Sequence, residues 1–132
     1  MAPPASVKRR ILVVDDEPGF TDFVRQALER TGRFEIREAH DGTRAVVAAR
    51  SFRPELVLLD LILPDLEGSR VAFLIRSEPG LKDLPIVFLT GVVTKEEEAS
   101  ETGGLIDGIP FLAKPVTAEE LLRCVDSRLK PR

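Results

Sequence analysis

The sequence predicts an α/β domain: a parallel sheet covered by helices on both faces. Three observations carry that reading. Short runs of branched and aromatic residues alternate with stretches of helical periodicity, five times along the chain. The first, third and fourth runs are apolar almost throughout, as strands buried on both faces are. Residues that start and stop helices stand at the ends of the intervening segments. Parallel strands need a helical, right-handed crossover to return the chain, and in such sheets functional groups gather at the strands' carboxyl ends.

The first strand is ILVV (11 to 14). Phe20, Phe23, Val24, Ala27 and Leu28 then recur at helical spacing, opened by Pro18 and closed by Gly32. FEIREA (34 to 39) is the second strand, and Asp41 is placed to cap a helix carrying Ala45, Ala49 and Phe52. ELVLLD (55 to 60) is the third, followed by a helix marked by Val71, Leu74 and Ile75. PIVFLT (85 to 90) is the fourth, with a weaker helical pattern, TKEEEAS, from Thr94. IPFLAK (109 to 114) is the fifth. The last helix starts at Thr117, with Glu120 placed for a capping box and Leu121, Val125 and Leu129 inward.

At 132 residues the chain fits one domain with one sizeable core, and 43% hydrophobic with 31% charged residues is a globular balance. The domain is expected over residues 9–130, behind a disordered tail of residues 1–8 rich in proline and charge. A net charge of −3 gives no general pull toward nucleic acid, and the basic clusters KRR (8 to 10) and RLKPR (128 to 132) are short and terminal. No direct nucleic-acid binding is expected. The apolar run after the N-terminal cations is too short for a signal peptide, so a cytoplasmic protein without membrane contact is expected. Cys124, the one cysteine, excludes an internal disulfide or a cysteine metal cluster and reads as a packed helical residue; His40 reads as a surface residue.

The strand ends carry the chemistry. Asp15 and Asp16 follow the first strand, Asp60 ends the third, Thr90 the fourth and Lys114 the fifth. Asp15, Asp16 and Glu17 in a row repel one another and cost desolvation unless a positive group sits among them. Carboxylates gathered in a wet pocket form a hard-oxygen site suited to Mg²⁺. Taken singly, each residue has a plainer reading: Asp15 and Asp16 as helix caps, Asp60 as a loop residue, Thr90 as a strand ending, Lys114 as a solvated charge. Their joint placement at one rim favours the site.

With VVDDEP, LLDLILPDLEG, FLTG and FLAKP in that order, the chain resembles the receiver domain of two-component response regulators from about Arg10 to Leu129. The resemblance implies a three-layer α/β/α sandwich of flavodoxin-like type, with five parallel strands in the order 2-1-3-4-5. It implies that Asp60 is the phosphoacceptor, that Asp16, Asp60 and the backbone carbonyl of Ile62 ligate Mg²⁺, and that Asp15 holds a metal-bound water. Lys114 supplies a second positive charge, Thr90 a hydroxyl for the phosphoryl group, and the Lys114–Pro115 bond matches one that is cis in the family. The resemblance further implies a sensor histidine kinase or phosphotransfer protein as phosphodonor, and a downstream protein partner or a homodimer as the output. Thr90 and Phe111 form the implied switch, Phe111 turning from outward to inward as Thr90 moves toward the phosphoryl group.

The resemblance implies no reaction beyond self-phosphorylation and self-dephosphorylation; it places Ile62 and Val92 along the path of the hydrolytic water, and since neither side chain can orient a water, slow self-dephosphorylation is expected. A dehalogenase-like phosphatase wants an acid where this chain has Ile62, and neither phosphate-binding glycine motif occurs. A receiver that serves only as an interaction domain normally loses one of the charged residues, and all are present. The chain departs from the family between Thr90 and Lys114, where TKEEEASETGGLIDGIP is longer than usual.

Overall fold

The computed structural model describes residues 7–91, 105–106 and 108–131. Five strands lie parallel in one sheet: β1 (Arg9–Val14), β2 (Phe34–Ala39), β3 (Leu56–Leu59), β4 (Ile86–Thr90) and, last in the chain, β6 (Ile109–Ala113). A two-residue strand, β5 (Leu105–Ile106), pairs antiparallel with β6, so the full order is β2-β1-β3-β4-β6-β5. The order of the parallel strands is the expected one; the sixth, antiparallel strand was not expected. It arises from a tight reversal between Ile106 and Ile109 through Gly108, whose φ of +78° suits a residue without a side chain.

The helices are α1 (Pro18–Glu29), α2 (Gly42–Phe52), α3 (Gly68–Arg76) and α4 (Ala118–Arg128). The helix expected from Thr94 falls outside the described residues. Asp41 caps α2 by accepting from the Arg44 amide at 2.8 Å. Thr117 and Glu120 form the expected capping box on α4, with bonds of 3.1 and 2.9 Å. Residues in α1 bury a stripe of Thr21, Val24, Ala27 and Leu28. Phe20 and Phe23 flank that stripe instead of lying in it, which leaves Phe23 38% exposed.

Side chains alternate across each strand and so divide the core into two layers. Leu12, Val14, Val57, Leu59, Ile86 and Phe88 face α2 and α3, where Ala45, Ala49, Val71 and Ile75 meet them. Ile11, Val13, Leu56, Leu58, Val87 and Leu89 face α1 and α4, against Val24, Leu28, Leu121 and Val125. Cys124 is partly buried against this second layer. The 11–14 part of β1 and strands β3 and β4 are buried without alternation because both of their faces are covered, whereas the edge strand β2 alternates. Each fully buried Leu or Ile contributes on the order of 2 kcal/mol.

Hydrogen bonds in the sheet run past the strand ends and fix the rim. The Asp15 amide donates to Ala39 O at 3.1 Å, the Asp60 amide to Val14 O at 3.0 Å, and the Lys114 amide to Thr90 O at 2.9 Å. The backbone at three rim positions is thereby set by the core beneath it.

Candidate functional site

The carboxylates of Asp15, Asp16 and Asp60 converge at the carboxyl ends of β1 and β3, each offering an oxygen within 4.8 Å of the others. Asp15 is fully buried, Asp60 is 8% exposed and Asp16 faces solvent, so the cluster opens to water on the Asp16 side. Lys114 reaches in from the end of β6. Its Nζ donates to Asp15 Oδ2 at 2.5 Å and stands 3.7 Å from Asp60 Oδ2. The same ammonium lies 4.2 Å from the centroid of the Phe20 ring, an aromatic face that attracts a cation. Thr90 is fully buried at the end of β4, opposite Ala113 in register and next to Lys114.

Burial pushes the Asp60 carboxyl above its ordinary value; Lys114 pulls it back, Asp15 adds to the push, and hydrogen bonds from the Ile62 amide and the Thr90 hydroxyl pull it down. The site thus holds a carboxylate that is short of positive charge. Its donor set fits a divalent cation: hard oxygen atoms, close together, on a side reached by water. The reading of Asp15 and Asp16 as helix caps fails here, because the N-cap of α1 is Glu17, no side chain caps it, and Asp15 Oδ1 instead accepts from the Glu17 amide at 2.9 Å.

The loop between β3 and α3 is pinned on both sides. The Ile62 amide approaches Asp60 Oδ1 at 3.4 Å, Ile62 bridges to Glu67, and the Gly68 amide donates to Leu61 O at 2.7 Å. A Cβ at Gly68 would lie 2.4 Å from Asp60 O and 2.7 Å from Leu61 Cα, so glycine is required for α3 to start against the Asp60 backbone. At the loop's outer end Asp65 accepts from the Gly42 amide at 2.7 Å, the Thr43 amide at 2.9 Å and the Thr43 hydroxyl at 2.7 Å. The Thr43 hydroxyl first, then these two amides, hold its carboxyl down to about 2.

Asp15, Asp16, Asp60, Thr90 and Lys114 therefore meet at one place, and the Lys114–Pro115 bond is cis. Ile62 stands above Asp60, 59% exposed. Phe111 is 8% exposed and packs with Phe88 and Ile109 in the layer under α2 and α3, the inward one of the two expected positions. Val92 and the stretch from Thr94 to Gly104 lie outside the described residues. Sequence reasoning missed Phe20 as a neighbour of Lys114 and Asp65 as a second clasp on α2, since both are tertiary contacts with no local pattern. His40 does sit at the surface, with Nε2 3.1 Å from the Thr21 hydroxyl and 3.4 Å from Glu38. Glu38 also takes 2.6 Å bonds from Thr21 and Arg25.

Comparison with known proteins agrees with this geometry. Residues 11–126 match the family described as the response regulator receiver domain. The DNA-binding response regulator MtrA of Mycolicibacterium smegmatis is 36% identical over 126 residues, covering 95% of this chain and 52% of MtrA. TcrX of Mycobacterium tuberculosis, a probable transcriptional regulatory protein, is 41% identical over 114 residues, covering 85% and 46%. Among solved structures, the chemotaxis protein CheY4 of Vibrio cholerae superposes with a TM-score of 0.80 at 26% identity, over 93% of this chain and all of that one. The receiver domain of the sensor histidine kinase PA1611 of Pseudomonas aeruginosa, which has a magnesium ion coordinated in its active site cleft, gives 0.76 at 26% identity, over 92% and 98%.

The chain spans about half the length of the curated relatives it matches. Those relatives correct one expectation. Direct nucleic-acid binding was excluded on a net charge of −3, yet MtrA is named as DNA-binding. The charge of one segment measures only that segment, and in MtrA the matching part is about half the protein. The exclusion is withdrawn. No helix among the described residues is long and apolar enough to cross a membrane.

Proposed function

The chain belongs to the response regulator receiver domain family, and on that premise we propose that Asp60 accepts a phosphoryl group from a phosphohistidine or a small acyl phosphate donor. The observation that carries this is the meeting of Asp15, Asp16 and Asp60 within 4.8 Å beside Lys114. An oxygen of Asp60 attacks phosphorus, an O–P bond forms, and the donor's imidazole or acetate leaves with the electrons of the broken bond. Lys114 would exchange Asp15 for a phosphoryl oxygen, and Thr90 would donate its hydroxyl to another. Mg²⁺, held by Asp16, Asp60 and the Ile62 carbonyl with Asp15 acting through water, would neutralise the phosphoryl oxygens so that a carboxylate can approach a polyanion.

Two finer points belong to the same reading. Ile62 offers no group that orients a water, so the acyl phosphate should be lost slowly, and Ile62→Asn should hasten its loss. Thr90 and Phe111 form the switch: Phe111 already lies inward in this structure, and a charge-assisted bond from Thr90 to the phosphoryl group would hold it there more firmly. Beryllofluoride with Mg²⁺ tests this through backbone NMR; Phe111 shifts that do not respond would remove it from the switch.

Intact-mass measurement after incubation with acetyl phosphate tests the central assignment. One phosphoryl group should add in the presence of Mg²⁺, disappear with chelator and be absent in Asp60→Asn. Labelling of Asp60→Asn at the wild-type level would overturn it.

A further inference from the structure

The β3–α3 loop is held at one end by Asp60 and at the other by the first turn of α2, a helix that contributes no side chain to the rim cluster. Asp65 makes that second attachment with three hydrogen bonds, and the fit around it is close. A Cβ at Gly42 would lie 2.9 Å from both Leu66 Cβ and Val71 Cγ2, so the loop and α3 press directly on the start of α2. Between the two attachments stands Ile62, whose amide approaches Asp60 and whose residue bridges to Glu67. Releasing Asp65 frees the outer end of this short span while leaving every carboxylate of the cluster in place.

We infer that Asp65 is a positioning residue for the cation site: by fastening the loop to α2 it sets Ile62 against Asp60 and so tunes the affinity of the rim for Mg²⁺. This rests on the metal reading given above. Asp65 does not touch the cluster, and its action runs through the loop backbone, as groups one step removed from a metal's ligands act. The competing explanation is that it merely stabilises α2. Asp41 separates the two, because it caps the same helix and carries the same charge, but bonds only toward Arg44 and not to the loop.

The test is a Mg²⁺ titration of the whole chain followed by backbone amide shifts, with urea unfolding of each variant alongside. Asp65→Ala should weaken Mg²⁺ binding on the order of tenfold. Asp65→Asn, which keeps one acceptor oxygen, should fall between it and wild type and carries the test if the alanine variant does not fold. Asp41→Ala should lose stability and keep the wild-type affinity. Unchanged affinity in both Asp65 variants overturns the inference, as does an equal loss in Asp41→Ala. A wild-type chain that does not respond to Mg²⁺ defeats the metal reading itself, and this inference with it.

Discussion

The two ends of the sheet handle charge in opposite ways. At the amino end, cations are discharged on fixed partners: Arg10 donates to the carbonyls of Phe52 and Arg53, Arg53 to Pro79 O, Lys130 to Asp83 O, and Arg9 pairs with Glu55 at 2.7 Å. Helix C-termini lie at that end, and their exposed carbonyls suit positive groups. At the carboxyl rim, Asp15, Asp16 and Asp60 crowd together beside a single lysine among the described residues. One end is balanced by the chain itself, while the other gathers three carboxylates beside one ammonium among the described residues.

Substitutions at the two ends should therefore respond differently to Mg²⁺. The largest effect is expected for Lys114→Met, which strands the buried Asp15 carboxylate and should cost about 3 kcal/mol without metal. Added MgCl₂ should restore part of it, read as a rise in the urea midpoint; a midpoint that Mg²⁺ leaves alone would break the contrast. Arg10→Met removes bonds to two carbonyls and should cost about 1 kcal/mol, identical with and without Mg²⁺. Asp16→Ala should run the other way, gaining about 0.5 kcal/mol in metal-free buffer through relief of repulsion. It should lose the stabilisation that Mg²⁺ gives wild type.

The smallest effect is a pH dependence. The Asp65 carboxyl lies at about 2 in the folded chain against an ordinary 3.8, so its contribution is complete above the higher value and fades as pH falls toward the lower. The stability gap between wild type and the non-titrating Asp65→Asn should narrow as pH drops below about 4. The Arg10→Met deficit should stay flat over the same range, since the bonds it loses end on backbone carbonyls.

Legibility in the sequence followed the range of the interaction. β1, β3 and β4 were readable because burial on both faces writes an unbroken apolar run, and the caps at Asp41 and Thr117 because capping is local. The rim was readable at one remove, since parallel strands bring Asp15, Asp60, Thr90 and Lys114 to one end whatever their separation in the chain. β5 was too short for any periodicity, although the Asp-Gly pair between Ile106 and Ile109 is a hairpin signal. Phe23 shares the helical spacing of the α1 stripe, but spacing does not say how wide the covered stripe is, and Phe23 stays 38% exposed. The hold of Asp65 on α2 joins residues over twenty positions apart and left no mark in either segment. Net charge misled over nucleic acid because it is a property of the segment read.

The Arg9 guanidinium donates to Lys130 O at 2.5 Å, so the entry to the first strand and the exit from the last helix touch, at the pole opposite the rim. In wiring terms, both leads emerge from the back of the device. A polypeptide spliced onto either lead would be joined at the pole away from Asp60. The same adjacency makes the fold a good subject for circular permutation: a short linker from Pro131 to Val7 would close the described chain, and new ends could be cut in a surface turn at no cost to the sheet order.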